Sequence, residues 1–185
     1  MNAHDVNAEM LSAGLLLLRI VAGLLMAAHG AQKLFGWFGG YGLTKTGEFF
    51  GHLGFQPGRP FAAAASLAET VSGVLVLLGF LGPIGPALML SVMIVAAITV
   101  HWEHGLFASK NGIEVPLLYA AIAVGLALTG YGRYSLDAWL GIADRWTAGA
   151  TWATLGIGAL GGLANLALRR RALSLPEVKA NANRN

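Results

Sequence analysis

Two ionisable side chains stand where an apolar sequence has least reason to keep them. Arg19 and Glu69 each lie well inside a long apolar run, roughly 12 Å from the start of the helix that the run predicts. A charge near the centre of a membrane-spanning helix costs several kcal/mol, so it has a partner or a purpose. His29 and Lys33 follow Arg19 on its run, His101-Trp102-Glu103-His104 closes another run, and Glu114 opens the next. Three chemistries fit these residue types. A quinone headgroup needs donors to its carbonyl oxygens, proton carriers and apolar walls. His29, Glu69 and His101 beside Trp102 could supply them, with Lys33 and Glu114 nearby. Metal or haem ligation could draw on His29, His101 and His104, although neither HExxH nor CxxCH occurs in the sequence. Ion pairing is the plainest alternative: Glu69 with Arg19 or Lys33 pins helix packing, and His101 and His104 sit in interfacial water.

The elements that must position these residues are helices. Hydrophobic residues make up 56% of the 185 residues and charged residues 11%, against about 25% in an average soluble domain. Lipid-facing surface explains that deficit better than a large core. Apolar segments run over 11–34, 61–81, 84–101, 115–131 and 151–168, and about 17–25 residues span a bilayer. The first two fit comfortably and the last three are short. The fold class expected is an all-α integral membrane protein, an up-down four-helix transmembrane bundle plus a fifth C-terminal transmembrane helix. By domains, 1–10 is an N-terminal tail, 11–140 the four-helix core with a long aromatic loop over 35–60, 141–173 the fifth helix with a basic end, and 174–185 a disordered tail. A secretory signal is not expected, because Met1–Met10 holds Asp5 and Glu9 but no Lys or Arg. With no cysteine, disulfides, thiolate metal sites and thiol exchange are excluded within this chain.

Gly82-Pro83 predicts a tight hairpin between the second and third segments. The loop before Phe61 carries Phe35, Trp37, Phe38, Tyr41, Phe49, Phe50 and Phe55, which suits either an interfacial aromatic belt or a re-entrant lid over a substrate. If all five segments span, Lys33, Lys45, Arg59, Lys110 and the basic tail share one side, against Arg133 and Arg145 on the other. That bias places the C-terminus in the cytoplasm and the protein in the cell membrane as a multi-pass chain. Gly158 and Gly162 form a GxxxG spacing suited either to packing within the chain or to homo-oligomerisation. The basic cluster beside an apolar segment reads as a membrane anchor and not as a nucleic-acid patch.

Up-down order then decides who meets whom. Arg19, Met26, His29 and Lys33 share an arc of about 80° on the first helix. Ser66, Glu69, Thr70 and Gly73 share a face of the second. If these faces meet, Glu69 lies between His29 or Lys33 on one side and Arg19 on the other. His29, Lys33, Glu69, His101, Glu103, His104 and Glu114 all fall in one half of the bundle.

Several short motifs, in order, resemble the DoxX family: Leu18-Arg19-Ile20-Val21-Ala22-Gly23, His29-Gly30-Ala31-Gln32-Lys33-Leu34, Phe49-Phe50 with Leu53-Gly54-Phe55, Glu69 with Gly73 and Leu77-Leu78-Gly79, and the closing run from Leu128 to Asp137. The resemblance covers about Leu11 to Leu140. It implies a four-helix membrane core related to the membrane part of thiosulfate:quinone oxidoreductase. It also implies relatives that serve as membrane components of redox or oxidative-stress complexes, with soluble enzymes docked to them. Arg19, His29, Lys33 and Glu69 match as motif polar residues, and Arg133 and Asp137 match at the closing turn, where a surface salt bridge at a helix end is expected. The family assigns none of them a catalytic role. The function expected is therefore a membrane subunit of a redox complex that binds quinone in a pocket of His29, Glu69 and His101, with no complete active site in this chain. The alternatives are a non-catalytic scaffold that recruits soluble redox enzymes and, further off, a small transporter or proton channel.

Overall fold

The computed structural model describes residues 3–169; Arg170, Arg171, Lys179, Arg184 and the expected disordered tail 174–185 lie outside the described residues. Every regular element among the described residues is helical. The helices are α1 (Ala3–Phe35), α2 (Gly42–His52), α3 (Gly58–Leu78), α4 (Ile84–Ala96), α5 (Glu114–Thr129), the single turn α6 (Leu136–Trp139) and α7 (Ala148–Ala167). Three are long and apolar enough to cross a membrane: α1, α3, and α4 with its continuation to His104. α5 is apolar but has 16 residues. α7 has 20, but its glycines, threonines and Asn165 dilute its apolar character.

Local sequence sets the ends. Nothing between Ala3 and Phe35 breaks a helix, so residues 3–10, expected as a tail, are the first turns of α1 instead. Gly36 stops α1 in the left-handed conformation, and Gly79 stops α3 in the same way. Pro60, Pro86 and Pro116 each sit in the first turn of their helix, where the missing N–H costs nothing. Thr147 caps α7 by accepting a hydrogen bond from Ala150 N at 3.3 Å. α4 passes at Ala97–His101 into a π-helical turn.

Small residues set the packing directions. A Cβ on Gly23 would meet Gly73 O and Leu77 N at 2.7 Å, and one on Gly30 would strike Ser66 and Thr70. Advancing along α1 therefore means retreating along α3, and the two helices are antiparallel. Gly158 of α7 faces Ala87 of α4, and Gly162 faces Ser91, so α7 runs parallel to α4. Of the two uses expected for the Gly158/Gly162 spacing, the structure shows packing within the chain, against α4. Leu15, Ala22, Met26, Val76, Met89, Met93, Ala123 and Leu126 form the centre. Large apolar side chains also cover the outside: Leu17, Leu24 and Leu25 of α1, Leu67 and Val71 of α3, Leu117 and Leu118 of α5, and Ile157 and Leu160 of α7 are all exposed.

Candidate functional site

Glu69 lies on α3 with 2% of its side chain exposed. Its Oε1 forms an ion pair with Lys33 Nζ from α1. Its Oε2 is buried without a hydrogen-bond partner among the described residues. A carboxylate oxygen in that state is expensive, because burial removes its water and nothing replaces it. Lys33 is 34% exposed, so the pair joins a fully buried acid to a base that reaches the edge of the bundle.

The pair opens on a cavity of about 480 Å³. Its polar wall includes His29, Lys33, Thr46, Glu69, His101 and Asn165, and its apolar wall includes Phe49, Phe50, Leu53 and Phe61. Five helices and the π turn build it, with Ser91, Val92, Val95 and Ala96 from α4. α1 brings His29 and Lys33, α2 brings Thr46 and the two phenylalanines, α3 brings Glu69, and α7 brings Asn165. The π turn adds Thr99 and His101; such turns re-aim side chains at functional sites. His101 Nδ1 lies 2.7 Å from Asn111 O, which ties the end of α4 to the loop before α5. The His29 ring is edge-on to Tyr119 at 6.2 Å, and Tyr119 lies within electrostatic reach of Glu69.

The stretch 35–60, expected as a loop, holds the helix α2 instead, and its aromatic residues fall into two groups. Phe49 and Phe50 of α2 wall the cavity, and Phe55 is buried between the Phe50 and Phe61 rings at 5.8 and 5.4 Å. Trp37, Phe38 and Tyr41 point outward, exposed.

The structure therefore brings together His29, Lys33, Glu69 and His101. It leaves Trp102 outside, exposed. Glu114 is spent on the loop, accepting a hydrogen bond from Ala108 N at 2.7 Å. His104 Nδ1 turns back to Val100 O at 3.0 Å. Among the described residues no three His, Asp or Glu side chains gather to hold a metal ion, so His29, His101 and His104 do not form a ligand set.

Arg19 does not pair with Glu69. It is 1% exposed, and its guanidinium donates to Tyr131 O at 2.7 Å, Tyr134 O at 3.0 Å and Leu77 O at 3.2 Å, with Tyr131's ring 5.5 Å away. The physical reason is depth. α1 and α3 are antiparallel, so Arg19 meets the C-terminal end of α3, where carbonyls have no partner of their own, while Glu69 meets Lys33. Gly79 makes room: it takes φ 64°, and a Cβ there would meet the guanidinium. The expected surface salt bridge between Arg133 and Asp137 is also absent. Arg133 pairs with Glu9 of α1. Asp137, 2% exposed, instead accepts from Leu81 N at 2.9 Å, Gly82 N at 2.7 Å and Trp146 Nε1 at 3.2 Å, fastening the α3–α4 turn.

With this geometry in place, comparison with known proteins identifies the family. The family model described as DoxX matches residues 14–102. The chain belongs to the DoxX family. No curated protein and no solved structure matches the chain. The DoxX match spans most of α1, all of α2, α3 and α4, and the π turn, and so includes Arg19, His29, Lys33, Glu69 and His101. It ends before α5, α6 and α7. Tyr119 and Asn165 therefore reach the cavity region from outside the DoxX match. Up-down order carries a signal for both. Tyr119 lies just after the start of α5 and Asn165 at the end of α7, the level that holds His29 and His101.

Proposed function

We propose that this DoxX-family protein is a multi-pass membrane protein that binds the headgroup of a lipid-soluble quinone in the Lys33–Glu69 cavity, as the membrane subunit of a redox complex. The observation that carries this reading is the buried ion pair open to a cavity that is otherwise aromatic and aliphatic. A quinone ring fits the phenylalanine wall, Lys33 and His29 offer donors to its oxygens, and Glu69 offers a proton acceptor. A cavity of about 480 Å³ falls within the usual range of about 300–1,000 Å³ for small-molecule sites.

The membrane assignment rests on the leucine-rich exterior, which suits lipid as solvent and not water, together with the three long apolar helices. In this reading α5 and α7 also cross, since both pack along α4. Lys33, Lys110 and Arg169 then share a face, which puts that face in the cytoplasm.

The test is gentle extraction from native membranes, followed by analysis of the co-purifying lipids. Quinone retained by the protein and lost in Glu69→Gln is the expected result. Protein that carries no quinone, binds none when it is added, and still captures soluble redox enzymes would replace this reading with that of a non-catalytic scaffold.

A further inference from the structure

We infer that Asn165 of α7 is a second hydrogen-bonding anchor in the cavity, donating to the quinone oxygen that Lys33 and His29 leave free. The inference rests on the quinone reading above and adds the residue that fixes the orientation of the ring.

The register of α7 carries it. At 100° per residue, Gly158, Gly162, Asn165 and Arg169 fall within an arc of about 60°. Three of the four have defined neighbours. A Cβ on Gly158 would meet Ala87 of α4, and one on Gly162 would meet Ser91 O and Ile94. One turn beyond Asn165, Arg169 Nε donates to Leu53 O at the end of α2. Asn165 thus stands between a turn packed on α4 and a turn fastened to α2, and its side chain projects towards the space between those helices. Val95 of α4 and Leu53 of α2 line the cavity, as Asn165 does.

Asn165 is the only polar side chain between Leu155 and Leu168. It is half-buried, its amide forms no hydrogen bond among the described residues, and both amide atoms remain accessible. An amide on an apolar helix is unfavourable until it is paired. Ligand sites of this kind fix orientation with a few placed polar groups on an otherwise apolar surface. α1 packs on α3 and α7 on α4, so Lys33 and Asn165 reach the cavity from different sides. A quinone carries an acceptor oxygen on each of two opposite edges of its ring, and Asn165 Nδ2 has two N–H groups to give. One oxygen then faces α1 and the other α7.

The experiment is infrared difference spectroscopy of a decyl-substituted benzoquinone bound to the protein in lipid nanodiscs, isotopically labelled at one ring carbonyl or the other, alongside titration calorimetry. In the wild type both carbonyl stretches should lie below their positions in protein-free nanodiscs. In Asn165→Leu, which keeps the branched shape, one stretch should return to its protein-free position, and the quinone should bind about three- to tenfold more weakly. The melting temperature should not fall, since leucine suits an apolar helix at least as well as an unpaired amide. Asn165→Ala adds no bulk and should release the same carbonyl if the leucine variant does not fold. A wild-type carbonyl at its protein-free position, or both shifts kept in the variants, overturns the inference and leaves the quinone site standing. A wild-type protein that binds no quinone overturns the site and the inference together.

Discussion

At one end of the bundle Arg19 gives hydrogen bonds to three main-chain carbonyls; at the other, Glu69 receives one from Lys33 and keeps Oε2 without a partner. Both charges are almost fully buried. Their surroundings separate them. The arginine is enclosed by the end of α3, the closing turn and the Tyr131 ring, and Asp137 lies within electrostatic reach. The carboxylate borders a cavity. A buried charge wrapped in carbonyls fixes chain ends to one another, whereas the buried Lys33–Glu69 pair sits at the wall of a cavity. The two ends of one small bundle thus hold one charge fastened by main-chain carbonyls and one paired beside a cavity.

Substitutions at three places can break or sharpen that contrast. The largest effect is expected from Arg19→Leu. It removes the donor that joins α1, α3 and the closing turn and leaves three buried acceptors unpaired. It should cost about 3–5 kcal/mol, read as a lower melting temperature in detergent. Arg19→Lys should recover little of that loss, since a point-like ammonium cannot reproduce a planar fork aimed at three carbonyls. A variant as stable as the wild type would show that Arg19 is no fastener. An intermediate case is the double replacement Lys33→Met with Glu69→Leu. Replacing both partners of a buried pair by apolar groups is close to neutral, so stability should move by no more than about 1 kcal/mol while quinone binding disappears. A collapse in stability would instead make the pair structural and erase the contrast. The smallest effect belongs to Arg133→Ala. Its ion pair with Glu9 is 61% and 39% exposed, so the loss should stay under about 1 kcal/mol and shrink further in salt.

The positions of the five long helices were legible in the sequence, because continuous apolar runs and Pro or Gly boundaries are strong local signals. So was the gathering of His29, Lys33, Glu69 and His101, which needs only alternating helix direction. The partner of Arg19 was not legible. Matching charge to charge points to an acid, while the structure uses carbonyls, which every residue carries and which no pattern marks. Asp137 was hidden for a related reason: its partners are the N–H groups of a turn about 55 residues away in sequence. Trp102 and Glu114 were placed at the correct end, but neither lines the cavity. Depth can be read from helix order; azimuth at a helix end, after a π turn, cannot. The GxxxG pair was visible, and only the packing against α4 tells that its partner is in the same chain.

Asn165 stands on a helix that lies beyond the residues matching the DoxX model. The polar lining of the cavity is therefore drawn partly from within that match and partly from beyond it. Changing a single position on α7, to an acid, a base or an alkane, would alter what the cavity accepts without disturbing any motif residue. Position 165 thus offers a handle on the polarity of the cavity that leaves every residue of the DoxX match in place.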